Sequence, residues 1–143
     1  MLDENLAQQP LAERVTRDRG ELTVTTSPAN WQSLAAWVRG QGYDLLCDVT
    51  CVDRYPEAER FEVVCQLYST RDQAWVRLKT RCSEDAPPAT LIPVWPAANW
   101  FEREVFDLFG VRFAGHPNLT RMLMPEGFEG HPLRKDYPVE GFR

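Results

Sequence analysis

The last quarter of the chain constrains the fold most. Residues 110–143 hold five glycines and four prolines among 34 residues, about a quarter of the segment against an average combined usage of about 12%. Backbone this rich in glycine and proline sustains neither a long helix nor a central strand. Yet the segment also holds Phe113, Leu119, Met122, Leu123, Met124, Phe128, Leu133, Tyr137 and Phe142, which a disordered tail would lack. It must therefore lie on a surface, either its own domain's or another protein's. The apolar, aromatic, proline-stiffened composition favours the second, and Asn99 to Pro138 is expected to form a protein-docking surface.

The texture changes near residue 87, since eight of the 11 prolines lie between Pro87 and Pro138. Three parts are expected: residues 1–86, the N-terminal part of an α+β domain; 87–110, a proline-rich loop and amphipathic helix completing it; and 111–143, an extended docking arm. Within the first part, residues 2–19 suggest a short amphipathic helix interrupted by Pro10. Glu21 to Thr26 alternates as a strand. Ser27-Pro28 supplies an N-cap and a first-turn proline for a helix carrying Trp31, Leu34, Ala35, Trp37 and Val38, which Gly40 and Gly42 end. Strands follow at Tyr43–Asp53, Phe61–Leu67 and Ala74–Arg81, with turns at Arg54–Arg60 and Thr70–Gln73. On the first of these, period-two alternation puts Leu45, Cys47, Val49 and Cys51 on one face. The order β-α-β-β-β predicts a mostly antiparallel sheet with flanking helices.

Composition narrows the function. The net charge of −5 argues against a nucleic-acid partner. Fourteen of the 16 basic residues are Arg, whose planar fork suits interface ion pairs, although a genomic bias gives the same count. The opening residues MLDENLAQQPLAERV lack the basic and apolar regions of a signal peptide. No apolar run approaches the roughly 20 residues of a membrane span, which predicts a soluble, cytoplasmic chain. Common catalytic signatures are missing: no G-x-S-x-G, G-x-G-x-x-G, P-loop or C-x-x-C occurs. Cys47, Cys51, Cys65 and Cys82 fit no zinc or thioredoxin pattern, and Cys47, Cys51 and Cys65 read as small core hydrophobes.

The helix Asn99–Phe109 carries the most information. At 100° per residue, Phe101, Val105, Phe106, Leu108 and Phe109 form an apolar arc, and Arg103, Glu104 and Asp107 lie opposite it. Arg103 and Asp107, four apart, are positioned to pair. Glu102 falls inside the apolar arc. A carboxylate there must pair, accept hydrogen bonds or take up a proton. It is read as a buried anchor for the C-terminal segment, paired with Arg121 or Arg134, ahead of a catalytic acid. His116 and His131 each sit in Gly-His-Pro, where the following proline biases the backbone towards extended or turn geometry. They read as two related turns with the imidazole bonded to backbone groups, ahead of a metal site.

These residues carry a family resemblance. Glu102-Arg103-Glu104, then Asp107, Gly110, His116-Pro117, Arg121 and Leu123, continuing into Glu129-Gly130-His131-Pro132-Leu133-Arg134-Lys135-Asp136-Tyr137-Pro138, resembles the signature of the C chain of bacterial NADH:quinone oxidoreductase, respiratory complex I. Arg60–Val64 and Trp95–Asn99 also match, and the resemblance covers about residues 43–138. It implies an α+β domain followed by an extended arm, in a subunit of the complex's peripheral arm that packs on the D chain near the quinone pocket. It further implies that this chain holds no cofactor, metal or catalytic residue. FMN, iron–sulfur clusters and quinone would belong to the complex, which couples electron transfer from NADH to proton translocation at the cytoplasmic side of the cell membrane. Contact with the membrane would come only through that complex. Glu102, Arg103, Glu104, Asp107, His116, Arg121, His131, Arg134, Lys135, Asp136 and Tyr137 are then the expected docking residues. The chain ends at Arg143, where many members have a further tail, so contacts made by that tail are expected to be absent or supplied by other subunits. Related chains serve ferredoxin-dependent photosynthetic-type complexes and membrane-bound hydrogenases. A reading of another class is a stand-alone thiol or metal enzyme using Cys47, Cys51 and the histidines.

Overall fold

The computed structural model describes residues 2–140; Phe142, counted above among the apolar residues of the arm, lies outside them. A short helix α1 (Leu2–Ala7) leads to strands β1 (Arg14–Asp18) and β2 (Glu21–Thr26), a 3-10 turn (Pro28–Asn30) and helix α2 (Trp31–Gly40). Strands β3 (Leu45–Asp53), β4 (Phe61–Ser69) and β5 (Ala74–Cys82) follow, then helix α3 (Ala98–Phe109). The five strands form one sheet in the order β1-β2-β5-β4-β3. Every pairing is antiparallel except β2 with β5. The fold is therefore α+β with a mixed, mostly antiparallel sheet.

The helix expected over residues 2–19 stops at Ala7. Pro10 cannot continue it, and Arg19 and Gly20, both with positive φ (52° and 81°), make the two-residue turn that closes a β1–β2 hairpin. At the next helix start, Ser27 makes no side-chain cap, and Pro28 begins the 3-10 turn that precedes α2.

One face of the sheet is covered and the other is open. Leu22 and Val24 of β2, Phe61, Val63, Cys65 and Leu67 of β4, and Val76, Leu78 and Cys82 of β5 are all buried. They pack in one core with Trp31, Leu34, Ala35 and Val38 of α2 and with Val105 and Phe109 of α3. The expected alternation in β3 fails at one point. A bulge between Leu46 and Asp48 shifts the pleat, so Leu46 is buried while Leu45 is 47% exposed. Cys47 therefore does not share a face with Val49 and Cys51 as the period-two count requires, because a bulge inserts a residue into the alternation.

The open face carries Trp75, its ring tilted at 47° to that of Tyr68 on β4 with centroids 4.7 Å apart. The two faces should respond differently to truncation. Leu78→Ala, on the covered face, should cost about 2–5 kcal/mol in urea denaturation, and Trp75→Ala, on the open face, less than about 1 kcal/mol. Equal losses would contradict the assignment of the faces.

Candidate functional site: the end of helix α3 and the segment that closes it

An α-helix leaves its last four carbonyls without helical partners. In α3 these belong to Phe106, Asp107, Leu108 and Phe109, and downstream residues satisfy all four. Gly110, left-handed at φ 82°, donates its N–H to the Phe106 carbonyl at 2.8 Å. The Asp107 carbonyl accepts Arg121 Nη2 at 2.8 Å and His131 Nδ1 at 3.0 Å. Leu133 N–H donates to the Leu108 carbonyl at 3.0 Å, and Arg134 Nε to the Phe109 carbonyl at 2.6 Å. Any side chain at position 110 would take an unfavourable φ and bring its Cβ within 3.0 Å of the Arg134 guanidinium and the His131 ring. The glycine and the Gly-His-Pro-Leu-Arg run thus form one construction.

Asp107 holds the middle of the segment. Its side chain is fully buried, although the helical wheel puts it opposite the apolar arc. The 111–140 segment covers that side of the helix as well. One oxygen accepts Arg121 Nε at 2.5 Å. The other accepts the backbone N–H groups of Met122, Leu123 and Met124 at 3.1, 2.6 and 3.0 Å. Burial pushes this carboxyl up, but the Arg121 guanidinium and the three N–H groups outweigh it and hold it below the usual range. Arg121 also donates to the carbonyls of Phe128 and Gly130. Arg103, expected on Asp107, instead binds Thr120 through its carbonyl and hydroxyl oxygens.

Asp53, which is not among the expected docking residues, is the second anchor. Buried at the C-terminal end of β3, it accepts Arg60 Nε and Nη2 at 2.9 and 2.8 Å, and the N–H groups of Tyr55 and Lys135 at 3.0 and 2.8 Å. Arg60 reaches on to Asp136 at 2.6 Å. Burial raises the Asp53 carboxyl, but these donors bring it down to about 2. Arg134 pairs with Glu84 and lies over the Phe61 ring. The signal available for Asp53 was its step of two from Val49 and Cys51, an acid on the covered face.

Glu102 is fully buried but meets neither Arg121 nor Arg134, contrary to expectation, since both are engaged at the C-terminal end of the helix. It accepts the Thr90 hydroxyl at 2.5 Å and the Leu91 N–H at 2.7 Å, both from the proline-rich loop. Burial pushes its carboxyl up to about 7, and the two hydrogen bonds offset part of that rise. Among the other named residues, Glu104 is half-buried on α3, Lys135 is exposed and engaged through its backbone, and Tyr137 stacks on Phe128. Burial raises the thiols, Cys82 to about 11 and Cys65 well above its ordinary value, away from the thiolate that nucleophilic chemistry needs.

Two measurements check this site. Arg121→Ala strands the buried Asp107 carboxylate and should cost about 3–5 kcal/mol in urea denaturation; a loss below about 1 kcal/mol would contradict the anchor. Glu102 is raised in the fold from an ordinary 4.5 to about 7. Its contribution to stability is therefore complete below pH 4.5 and declines as pH rises through about 7, by on the order of 3 kcal/mol. Glu102→Gln cannot ionise, so its stability relative to wild type should improve between pH 5 and pH 8; a pH-independent difference would refute the assignment.

Comparison with known proteins agrees with this architecture. The model of the family described as "Respiratory-chain NADH dehydrogenase, 30 Kd subunit" matches residues 24–143. The chain is 42% identical over 143 residues to the C subunit of NADH-quinone oxidoreductase from Rhodobacter capsulatus, covering 96% of this chain and 72% of that one. It is 46% identical over 127 residues to the corresponding C subunit of Rhizobium johnstonii, covering 86% of this chain and 63% of the relative. A mitochondrial 30.4 kDa subunit of NADH-ubiquinone oxidoreductase from Neurospora crassa is 42% identical over 127 residues, covering 87% of this chain and 45% of its own length. The chain thus spans less than two thirds of several relatives. Among solved structures, a trypsin-resistant fragment of Nqo5 superposes with TM-score 0.72 at 29% identity, over 81% of this chain and 95% of the fragment. A chain of an archaeal respiratory membrane complex, the membrane-bound sulfane sulfur reductase, gives TM-score 0.77 at 27% identity, over 96% of this chain and 84% of that one. On the extent of the family match and these identities, the chain belongs to the 30 Kd subunit family of respiratory-chain NADH dehydrogenases.

Proposed function

We propose that the chain is a cofactor-free subunit of the peripheral arm of a proton-translocating NADH:quinone oxidoreductase. In this reading residues 99–138 dock on the D chain of the complex near the quinone site. FMN, iron–sulfur clusters and quinone are held by other chains, and the assembly sits at the cytoplasmic side of a bacterial cell membrane, touched by this chain only through its partners. Among the described residues no helix is long and apolar enough to cross a membrane, which accords with a peripheral position.

The observation that carries the reading is a rigidly held segment that still presents apolar side chains outward. Leu123 and Leu133 are each 52% exposed, although their backbone N–H groups are fixed to Asp107 and to the α3 carbonyls. Trp100 stands 57% exposed on α3 itself. A segment fixed through its backbone with apolar groups facing out presents a preorganised surface, which lowers the ordering cost of association. Arg103, Glu104, Lys135, Asp136 and Tyr137 supply its polar margin.

A second reading has its own support in the likeness to a chain of the archaeal membrane complex. In it the same docking role serves an assembly of different chemistry, whose electron donor is ferredoxin or a hydrogenase-type module. Affinity purification of the tagged chain from native membranes, with the co-purifying chains identified, distinguishes the donors. Leu123→Asp and Leu133→Asp together should reduce recovery of the D chain at least tenfold while changing the chain's own stability by about 0.5 kcal/mol or less per site. Undiminished recovery of the D chain would overturn the docking reading.

A further inference from the structure

Glu102 is a fully buried acid within reach of a histidine whose side chain is also fully buried. His116 Nδ1 accepts the Asn118 N–H at 3.0 Å, which leaves the ring proton on Nε2. That Nε2–H faces two acceptors and reaches neither closely: the Asn99 carbonyl at 3.4 Å and Glu102 Oε1 at 4.0 Å. Both distances exceed those of a good N–H···O bond. The ring is not free to move alone. Gly115, at φ 78°, and Pro117 bracket it, and its bond to Asn118 ties it to the turn that follows.

The same turn is reached from Glu102 by a second route. Thr90, whose hydroxyl donates to Glu102, donates its own N–H to the Ala114 carbonyl at 2.8 Å. Ala114 returns an N–H to the Pro88 carbonyl at 2.9 Å. Beyond the turn, Thr120 is held by Arg103, and Arg121 begins the anchor on Asp107. Residues 114–120 are thus suspended between Glu102 and the docking segment. The side chain of Asn99, one helical turn before Glu102, leaves its buried Oδ1 without a hydrogen-bond partner, a further acceptor on this face of α3.

We propose that Glu102 and His116 form a proton-operated latch on the 114–120 turn. With Glu102 ionised, the carboxylate draws the His116 Nε2–H into a charge-assisted hydrogen bond, and the turn follows the ring. With Glu102 protonated, that pull is absent and Nε2–H rests on the Asn99 carbonyl. The charged and titratable groups around the pair are few. Cys65 on β4 feels the Glu102 charge and stays a thiol. Burial chiefly, and the charge of Arg103 on α3 to a lesser extent, disfavour the His116 imidazolium against the opposing pull of the Asn99 carbonyl. Glu102 is therefore the member that changes charge, and His116 the neutral reporter. The latch is a property of this chain alone and does not depend on the docking reading.

NMR titration of the full chain from pH 5 to 8.5 tests it, following the Glu102 carboxyl carbon, the His116 ring nitrogens and the Asn118 and Thr120 amides. The carboxyl should titrate with a midpoint near 7, and the ring and both amides should shift with the same midpoint. In Glu102→Gln the shared step should vanish. In His116→Gln the carboxyl should still titrate while the Thr120 amide no longer follows it. A carboxyl midpoint below 5, or ring and amide signals that stay constant while the carboxyl titrates, would overturn the proposal. Because the wild-type titration already decides between these outcomes, the test holds even if a variant fails to fold.

Discussion

The structure depends on how one helix ends. A helix terminus cannot be buried against a sheet with its carbonyls bare, because an unsatisfied buried polar group costs about as much as several favourable contacts contribute. The chain solves this without ending the helix in water. Gly110 turns the backbone left, and residues 121–134 return to place two guanidinium groups, an imidazole and a backbone amide on the free carbonyls. The irregular segment is thus part of the domain. It closes the helix, and the helix in turn gives a segment without helix or strand a fixed course.

Three buried acids set the electrostatics, and they work in opposite senses. Asp107 and Asp53 are each surrounded by a guanidinium and backbone N–H groups, so they remain ionised and bind loop backbone to the domain. Glu102 has a hydroxyl and a single amide, too few donors to offset its burial. Its carboxyl is therefore the one that titrates near neutral pH. Acidification below about pH 4 progressively removes the stabilisation of the two anchors, which is lost as their depressed carboxyls protonate, whereas alkalinisation through about pH 7 loads charge onto Glu102. Stability is thus lowered from both sides of the pH range.

Much of this was legible in the sequence, and the exceptions have physical reasons. Period-two alternation located β2, β4 and β5, and the helical wheel found the intrusion of Glu102. The bulge at Cys47 was not legible, because one inserted residue flips a face without a compositional mark. The β1–β2 hairpin was masked by a helical pattern that Pro10 had already cut. Asp107 looked solvent-facing because the wheel knows only one helix; the partners that bury it come from 14 to 17 residues further along. Asp53 was hidden for the same reason, its partner Lys135 lying 82 residues away. The composition of the last segment suggested packing on another protein, whereas its described residues first pack on their own domain and turn only part of their apolar surface outward.

Bonds to Asp107, Asp53 and the end of α3 build residues 110–135 into the domain. Native-state amide hydrogen exchange on the full chain tests this most directly. The amides of Gly110, Leu123, Met124, Leu133 and Lys135 should be protected at least a hundredfold over an unstructured peptide, and Arg121→Ala should remove the protection at Leu123 and Met124 first. Exchange of these five amides at unstructured-peptide rates, beside a protected β4, would contradict the account.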